Sequence, residues 1–240
     1  MKGSPLGPSL SIGKLILVPA VITLAVTILR LVGELENWSP LLFNKHAGGG
    51  GALIGISWLP IIFGPYFAWK LATAGDRPAN TGKALGAILA GLAVFVAGGL
   101  AFFVSLRNPR SPNVLMMLLG VVLWIGSGFI ARMAWRGLGS TLFAYAFAAR
   151  IPVLIVMYLA MSANGGQGWG THYDAAGPGF PSATPLATKF LELAVVPQMT
   201  LWIGWTVVAG ALFGWLVVVL LRRRSAPAPA WTEVRQSLYS

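Results

Sequence analysis

Long apolar runs divide the chain into segments of the length that a bilayer requires. About 20 helical residues cross roughly 30 Å of hydrocarbon, whereas strands of a membrane barrel alternate polar and apolar residues over about ten. The runs here are continuous, so they predict helices. The predicted fold class is all-α, a polytopic helical membrane bundle over residues 1–221. Its six predicted spans lie near residues 15–33, 52–71, 84–106, 114–131, 141–163 and 199–221.

The first and last apolar runs need separate interpretations. The first is too long for a signal peptide and lacks a clear small-residue cleavage site, so we expect an uncleaved anchor. The last, from Leu186 to Leu221, would extend about 54 Å as one helix at about 1.5 Å per residue. Pro197 predicts where it divides, leaving residues 186–196 as a short helix at the outer surface. A re-entrant half-helix and one strongly tilted helix are the alternatives.

Glycines and prolines within the apolar runs indicate close packing and bends. The glycines of the Gly51–Gly55 and Gly210–Gly214 fragments, of Gly98-Gly99 and of Gly126-Ser127-Gly128 predict helices in close contact. Prolines remove a backbone donor. Pro60 and Pro65 therefore predict a bend in the second helix, and Pro152 predicts one in the fifth.

Composition excludes an ordinary soluble protein and several kinds of cofactor chemistry. The 240 residues are 56% hydrophobic and only 10% charged, with a mean hydropathy of +0.75. The absence of cysteine excludes disulfides, thiolate metal sites and iron-sulfur clusters. It also excludes covalent c-type haem, so no particular cofactor is indicated.

The lysines and arginines predict the orientation. Eleven of them fall on one predicted face with only Asp76 and Glu233, and the positive-inside rule makes that face cytoplasmic. Both termini and the basic, Ala/Pro-rich tail over residues 222–240 are then cytoplasmic, in what we expect to be a bacterial plasma (inner) membrane. Membrane topology and anionic lipid account for the net charge of +11, so lipid is a predicted partner and nucleic acid is not.

Both histidines lie in two outer segments, residues 34–51 and 164–185, which we expect to be structured loops. Imidazole and carboxylate groups are good metal ligands. The candidate metal ligands are Glu34, His46, His172 and Asp174. The simpler interpretation, which we favour, is that these polar residues hydrogen-bond the loops into a lid over the helix ends.

Two arginines lie inside predicted spans, where a charge costs roughly 2.5 to 3.5 kcal/mol. Arg30 is four residues before Glu34 and can pair with it locally. Arg150 lies near the predicted bilayer centre, without an acidic residue at equal depth. Arg150 must find carbonyl oxygens, water, a bound anion or Glu192. The candidate substrate-binding residues are Arg150, Arg30, Glu192 and Lys189.

Three functions remain compatible with these patterns, and none assigns a catalytic residue. The lone arginine favours a transporter or channel-like protein for a small anionic or amphipathic solute. The uncharged third and fourth helices suit a noncatalytic subunit of a larger membrane complex, or a homo-oligomer. The outer histidines suit a metal-dependent or lipid-modifying enzyme.

Overall fold

The computed structural model describes residues 11–50, 52–107, 112–177 and 179–224, and across these ranges the regular elements are all helical. Two short helices, α6 (Leu186–Phe190) and α7 (Val196–Met199), flank a π-helical turn at Leu191–Val195. The six longer helices are α1 (Ile12–Leu35), α2 (Leu59–Thr73), α3 (Thr81–Ser105), α4 (Val114–Ala134), α5 (Arg136–Ser162) and α8 (Leu201–Arg224). Ser11, Asn80 and Asn113 begin α1, α3 and α4, because each side chain accepts a hydrogen bond from a first-turn backbone N–H.

Within the described ranges, five helical segments are long and apolar enough to cross a membrane: Ile12–Leu35, Thr81–Ser105, Val114–Ala134, Arg136–Gly166 and Leu186–Leu221. Their outward faces are apolar; in α1, Leu17, Val18 and Val21 are each more than half exposed. The inward face of the same helix carries Thr23 and Thr27, both buried. Polar residues inside and apolar residues outside suit lipid as the solvent, so this is an integral, multi-pass helical membrane protein.

The segment ending in α8 forms the centre of the bundle. In the most apolar stretch of Leu186–Leu221, 56% of the residues are buried, whereas the corresponding share in α3 is 17%. Helix α8 packs on α2, α3, α4 and α5, while α3 and α4 form an outer hairpin and α1 packs on α5. Tyr145 of α5 contacts both α1 and α2. Its hydroxyl lies 2.8 Å from Thr23 Oγ1, and its ring packs edge-on against Phe63 and Phe67.

Some of the glycines predicted to lie at close helix contacts do so. A Cβ on Gly64 would overlap the Gly210 carbonyl oxygen and lie 2.6 Å from the Gly210 Cα, so α2 and α8 meet backbone to backbone. A Cβ on Gly98 would lie 3.0 Å from the Gly120 carbonyl oxygen, so α3 and α4 are also in close contact. A Cβ on Gly99 or on Gly126 would have no neighbouring atom within 4 Å, so the packing prediction is wrong for these two glycines.

The second span is predicted to begin at residue 52, which is too early. Residues 52–55 are not helical, because Leu53 N and Ile54 N donate to the Leu41 and Leu42 carbonyls of the outer loop. The helix begins at Leu59 after a 3-10 turn at Ile56–Trp58. Pro60 thus occupies the first turn, where a missing N–H has no helical partner to lose, and the predicted bend there is also wrong.

The last apolar run remains one helical segment, Leu186–Leu221, and is interrupted only at Thr200, three residues later than the predicted division. Backbone hydrogen bonds from Thr200 N to Val196 O and from Gly204 N to Thr200 O continue across this residue. Thr200, with φ −119° and ψ −71°, lies between α7 and α8. Pro197 instead lies in the first turn of α7, directly after the π-helical turn. The wider π-helical turn accommodates the proline ring, which in a regular helix would clash with the carbonyl four residues earlier. Of the predicted tail, residues 222–224 continue α8 and residues 225–240 lie outside the described residues.

The contact between Gly64 and Gly210 gives the first prediction. Gly64→Ala places a methyl group against the α8 backbone, which has no flexible side chain to move away. We expect a loss of about 1–3 kcal/mol, measured as a lower thermal midpoint in detergent. Gly99→Ala is the matched control, since the site is open. Equal midpoints for the two variants would contradict the close α2–α8 crossing.

Candidate functional site

The C-terminal end of α1 carries a hydrogen-bonded network of Arg30, Glu34 and His172, in which Arg30 and Glu34 form an ion pair. Glu34 is fully buried (0% exposed), and its Oε1 accepts hydrogen bonds from Arg30 Nε at 2.8 Å and from His172 Nδ1 at 2.6 Å. Its Oε2 accepts from the His172 backbone N–H at 2.8 Å. The local pairing of Arg30 with Glu34 is therefore present, and His172 joins it from 138 residues away.

His172 is neutral in this network. Burial lowers its pKa, and the nearby Arg30 charge lowers it further, although the hydrogen bond to Glu34 acts in the opposite direction. A neutral imidazole that donates from Nδ1 keeps its Nε2 lone pair. Glu34 thus fixes the tautomer of His172, as well as the position of its loop.

Arg30 and Tyr173 extend the network to both outer loops. Arg30 Nη2 donates to the Asn44 and Gly49 carbonyls of the first loop at 3.3 and 3.0 Å. In the second loop, the buried Tyr173 donates to the Thr27 carbonyl at 3.1 Å. The two loops therefore meet over the end of α1, and we call the Arg30–Glu34–His172 group and its loop contacts the outer cap.

The four predicted metal ligands do not form one set. Glu34 and His172 meet, but the Asp174 carboxylate accepts from Gly170 N, Thr171 N and Thr171 Oγ1 within its own loop. His46 is exposed. Across the described ranges, no three His, Cys, Asp or Glu residues are grouped as a metal site needs. The four candidates are not brought together, because Asp174 stabilises a tight turn within its own loop and Arg30 lies beside Glu34.

Arg150 lies in the middle of α5 and is 97% buried (3% exposed). Its Nη1 donates to Gln198 Oε1 at 3.3 Å, and its Cζ lies 4.8 Å from the centre of the Trp202 ring. Its Nε is enclosed without a hydrogen-bond partner. Among the described residues, no carboxylate lies within ion-pair distance of Arg150. We call Arg150, Gln198 and Trp202 the arginine site.

Irregular backbone surrounds the arginine site. Gln198 follows the π-helical turn and Pro197 and precedes the break at Thr200. Pro152, two residues after Arg150, removes one backbone donor from α5. Broken helices and π-helical turns inside membrane bundles are typical of ligand sites, because they release backbone groups at membrane depth.

The other predicted substrate-binding residues lie elsewhere. Arg30 belongs to the outer cap, Glu192 is exposed and Lys189 is partly exposed. Of the alternatives for Arg150, pairing with Glu192 is not seen among the described residues, and Arg150 donates to the neutral Gln198. Sequence reasoning missed Gln198 and Trp202. The sequence pattern that could have indicated them is a polar residue directly after Pro197 and an aromatic residue four positions further on, one helical turn away.

The described packing leaves little open space. A cavity of about 10 Å³ lies among the ends of α3, α4 and α5 and is lined by residues such as Ala84, Ala131 and Leu138. That volume is close to the minimum for a single water molecule. Arg150 is not among its lining residues.

No family model, curated protein or solved structure matches this chain.

The outer cap predicts a destabilised Glu34→Gln variant. Loss of the carboxylate charge leaves the buried Arg30 without a counter-ion, and we expect a loss of about 3 kcal/mol. Hydrogen exchange of residues 44–49 and 170–174 should accelerate in the same variant. Glu36→Gln, at an exposed position of the same helix end, is the control. Unchanged exchange in both loops would contradict the cap.

His172 predicts a pH dependence of stability. Its pKa is lowered in the fold, so the unfolded chain binds more protons below about pH 6.5. Stability contributed by neutral His172 is complete above that pH and is lost as pH falls through it. The thermal midpoint in detergent should therefore decrease from pH 8 to pH 5. His172→Asn, which keeps a donor but does not titrate, should weaken the dependence, whereas His46→Asn should preserve it.

Proposed function

We propose that this protein binds the anionic group of a small or amphipathic solute at the arginine site and transports that solute across the membrane. The proposal depends on one observation above all. Arg150 is 97% buried, its Nε is enclosed without a hydrogen-bond partner, and no described carboxylate neutralises it. A buried cation of this kind is costly and is typical of a ligand or transport site in a membrane bundle.

The surrounding helix irregularities support the same proposal. Transporters commonly place discontinuous helices at the substrate site near the bilayer midplane. Here the π-helical turn, Pro197 and Thr200 interrupt the segment that supplies Gln198 and leads to Trp202. Because the described bundle is closed around Arg150, transport requires an opening movement, and we assign it to the interrupted segment.

The proposed topology has six crossings, with both termini cytoplasmic in a bacterial inner membrane. Helix α2 and its preceding 3-10 turn together reach about 28 Å, close to the roughly 30 Å of hydrocarbon. Arg77, which follows α2, and Arg132, in the last turn of α4, then lie on the cytoplasmic side.

Reconstituted vesicles test the transport proposal. Vesicles with valinomycin and potassium salts of carboxylates, phosphate or chloride should swell faster with wild-type protein than without protein for at least one anion. Arg150→Gln should abolish that difference, whereas Arg107→Gln, which removes an exposed charge, should preserve it. The same rates for Arg150→Gln and wild type, or no anion flux in any salt, would contradict the proposal.

Stability measurements separate a binding role from a structural one. If Arg150 serves a ligand, Arg150→Gln removes an uncompensated buried charge and should leave the ligand-free thermal midpoint unchanged or higher. Arg30→Gln is the matched comparison and should lower it, because it leaves Glu34 buried without its cation. A strongly lower midpoint for Arg150→Gln would indicate that Arg150 holds the fold together.

A further inference from the structure

One edge of the Arg150 guanidinium, formed by Nε and Nη2, contains a buried nitrogen without a hydrogen-bond partner, Nε. Gln198 accepts from Nη1, whereas Nε is enclosed without a partner. Nε and Nη2 lie on the same side of an arginine side chain and point their N–H groups in parallel. This edge matches the two oxygens of a carboxylate, which accept two parallel hydrogen bonds. Trp202 lies beside the guanidinium, with its ring centre 4.8 Å from Cζ.

The charge of the arginine site selects a monoanion. Within the described part of the chain, the other intramembrane arginine, Arg30, is already neutralised by Glu34. Arg150 therefore supplies a single positive charge. A monoanion brings this site to neutrality, whereas a dianion would leave a net negative charge in a medium of low dielectric constant.

The surroundings of the arginine site are apolar. Val153 and Met157 lie three and seven positions after Arg150, on the same face of α5, and both are buried. Gln198 turns its Nε2 toward the Met157 sulfur at 3.7 Å rather than toward a second polar side chain. These side chains suit a hydrocarbon body and offer it few polar contacts.

We propose that the ligand is a monocarboxylate with an apolar body, bound through the Nε and Nη2 edge of Arg150. This inference rests on the proposed function and specifies its substrate class. The carboxylate replaces the missing hydrogen-bond partner of Nε, and the hydrocarbon body packs toward Val153, Met157 and Trp202. Both a small organic acid from water and a free fatty acid from the bilayer carry this chemistry.

A matched set of six-carbon probes tests the ligand class by the thermal midpoint of wild type and Arg150→Gln in nanodiscs. Hexanoate should raise the wild-type midpoint and leave that of Arg150→Gln unchanged. Hexanamide, which lacks the charge, and adipate, which carries two, should have much smaller effects, as should inorganic phosphate. In Arg150→Lys, which keeps the charge but loses the paired N–H edge, the hexanoate concentration for half-maximal stabilisation should rise about tenfold or more.

Each outcome decides a different claim. A response to hexanoate from water supports a soluble acid, and a response only to oleate within the nanodisc supports a membrane-derived one. A larger, Arg150-dependent response to adipate or phosphate would overturn the ligand class while supporting anion binding. Equal responses to hexanamide and hexanoate would also overturn it. If no anion gave an Arg150-dependent response, the proposed function would fail as well.

Discussion

A positive charge buried among membrane helices must be neutralised or fully hydrogen-bonded, and the two buried arginines of the described bundle, Arg30 and Arg150, differ in this respect. Arg30 has a buried carboxylate, Glu34, at 2.8 Å and two backbone carbonyls. Arg150 has one neutral side-chain acceptor, an aromatic face and an enclosed Nε without a partner. The first arrangement is complete and stabilises the fold. The second is incomplete, and the incompleteness is the main argument for a ligand.

The outer cap and the arginine site lie on helices that contact each other, with Arg30 and Glu34 on α1 and Arg150 on α5. Tyr173 connects the second outer loop to the Thr27 carbonyl of α1, and α1 in turn meets α5 through Thr23 and Tyr145. Arg150 follows Tyr145 by five residues on α5. The cap thus holds the outer end of α1 against the helix that carries the proposed binding residue. Movement of α1 relative to α5 would disturb both.

The sequence predicts the features that depend on local spacing or on continuous hydropathy. The helical class, the burial of Arg150 and the pairing of Arg30 with Glu34 follow from apolar runs and from a four-residue separation. The start of α2 could not be predicted, because Ala52 to Gly55 are as apolar as a helix and pair instead with Leu41 and Leu42.

The contacts between distant segments account for the remaining errors. His172 reaches Glu34 across 138 residues, and Gln198 reaches Arg150 across 48. No periodicity in the chain encodes either contact. The separation of the four candidate metal ligands has the same cause, since His172 and Asp174 are neighbours in sequence but belong to different hydrogen-bond networks.

The central claim is that the Nε and Nη2 edge of Arg150 binds a carboxylate. A crystal structure of the protein grown in a lipidic mesophase with hexanoate tests it directly. We expect density for a planar group whose two oxygens lie about 2.7–2.9 Å from Nε and Nη2, beside Trp202. A guanidinium whose Nε donates to a protein carbonyl, with no density along that edge, would contradict the account.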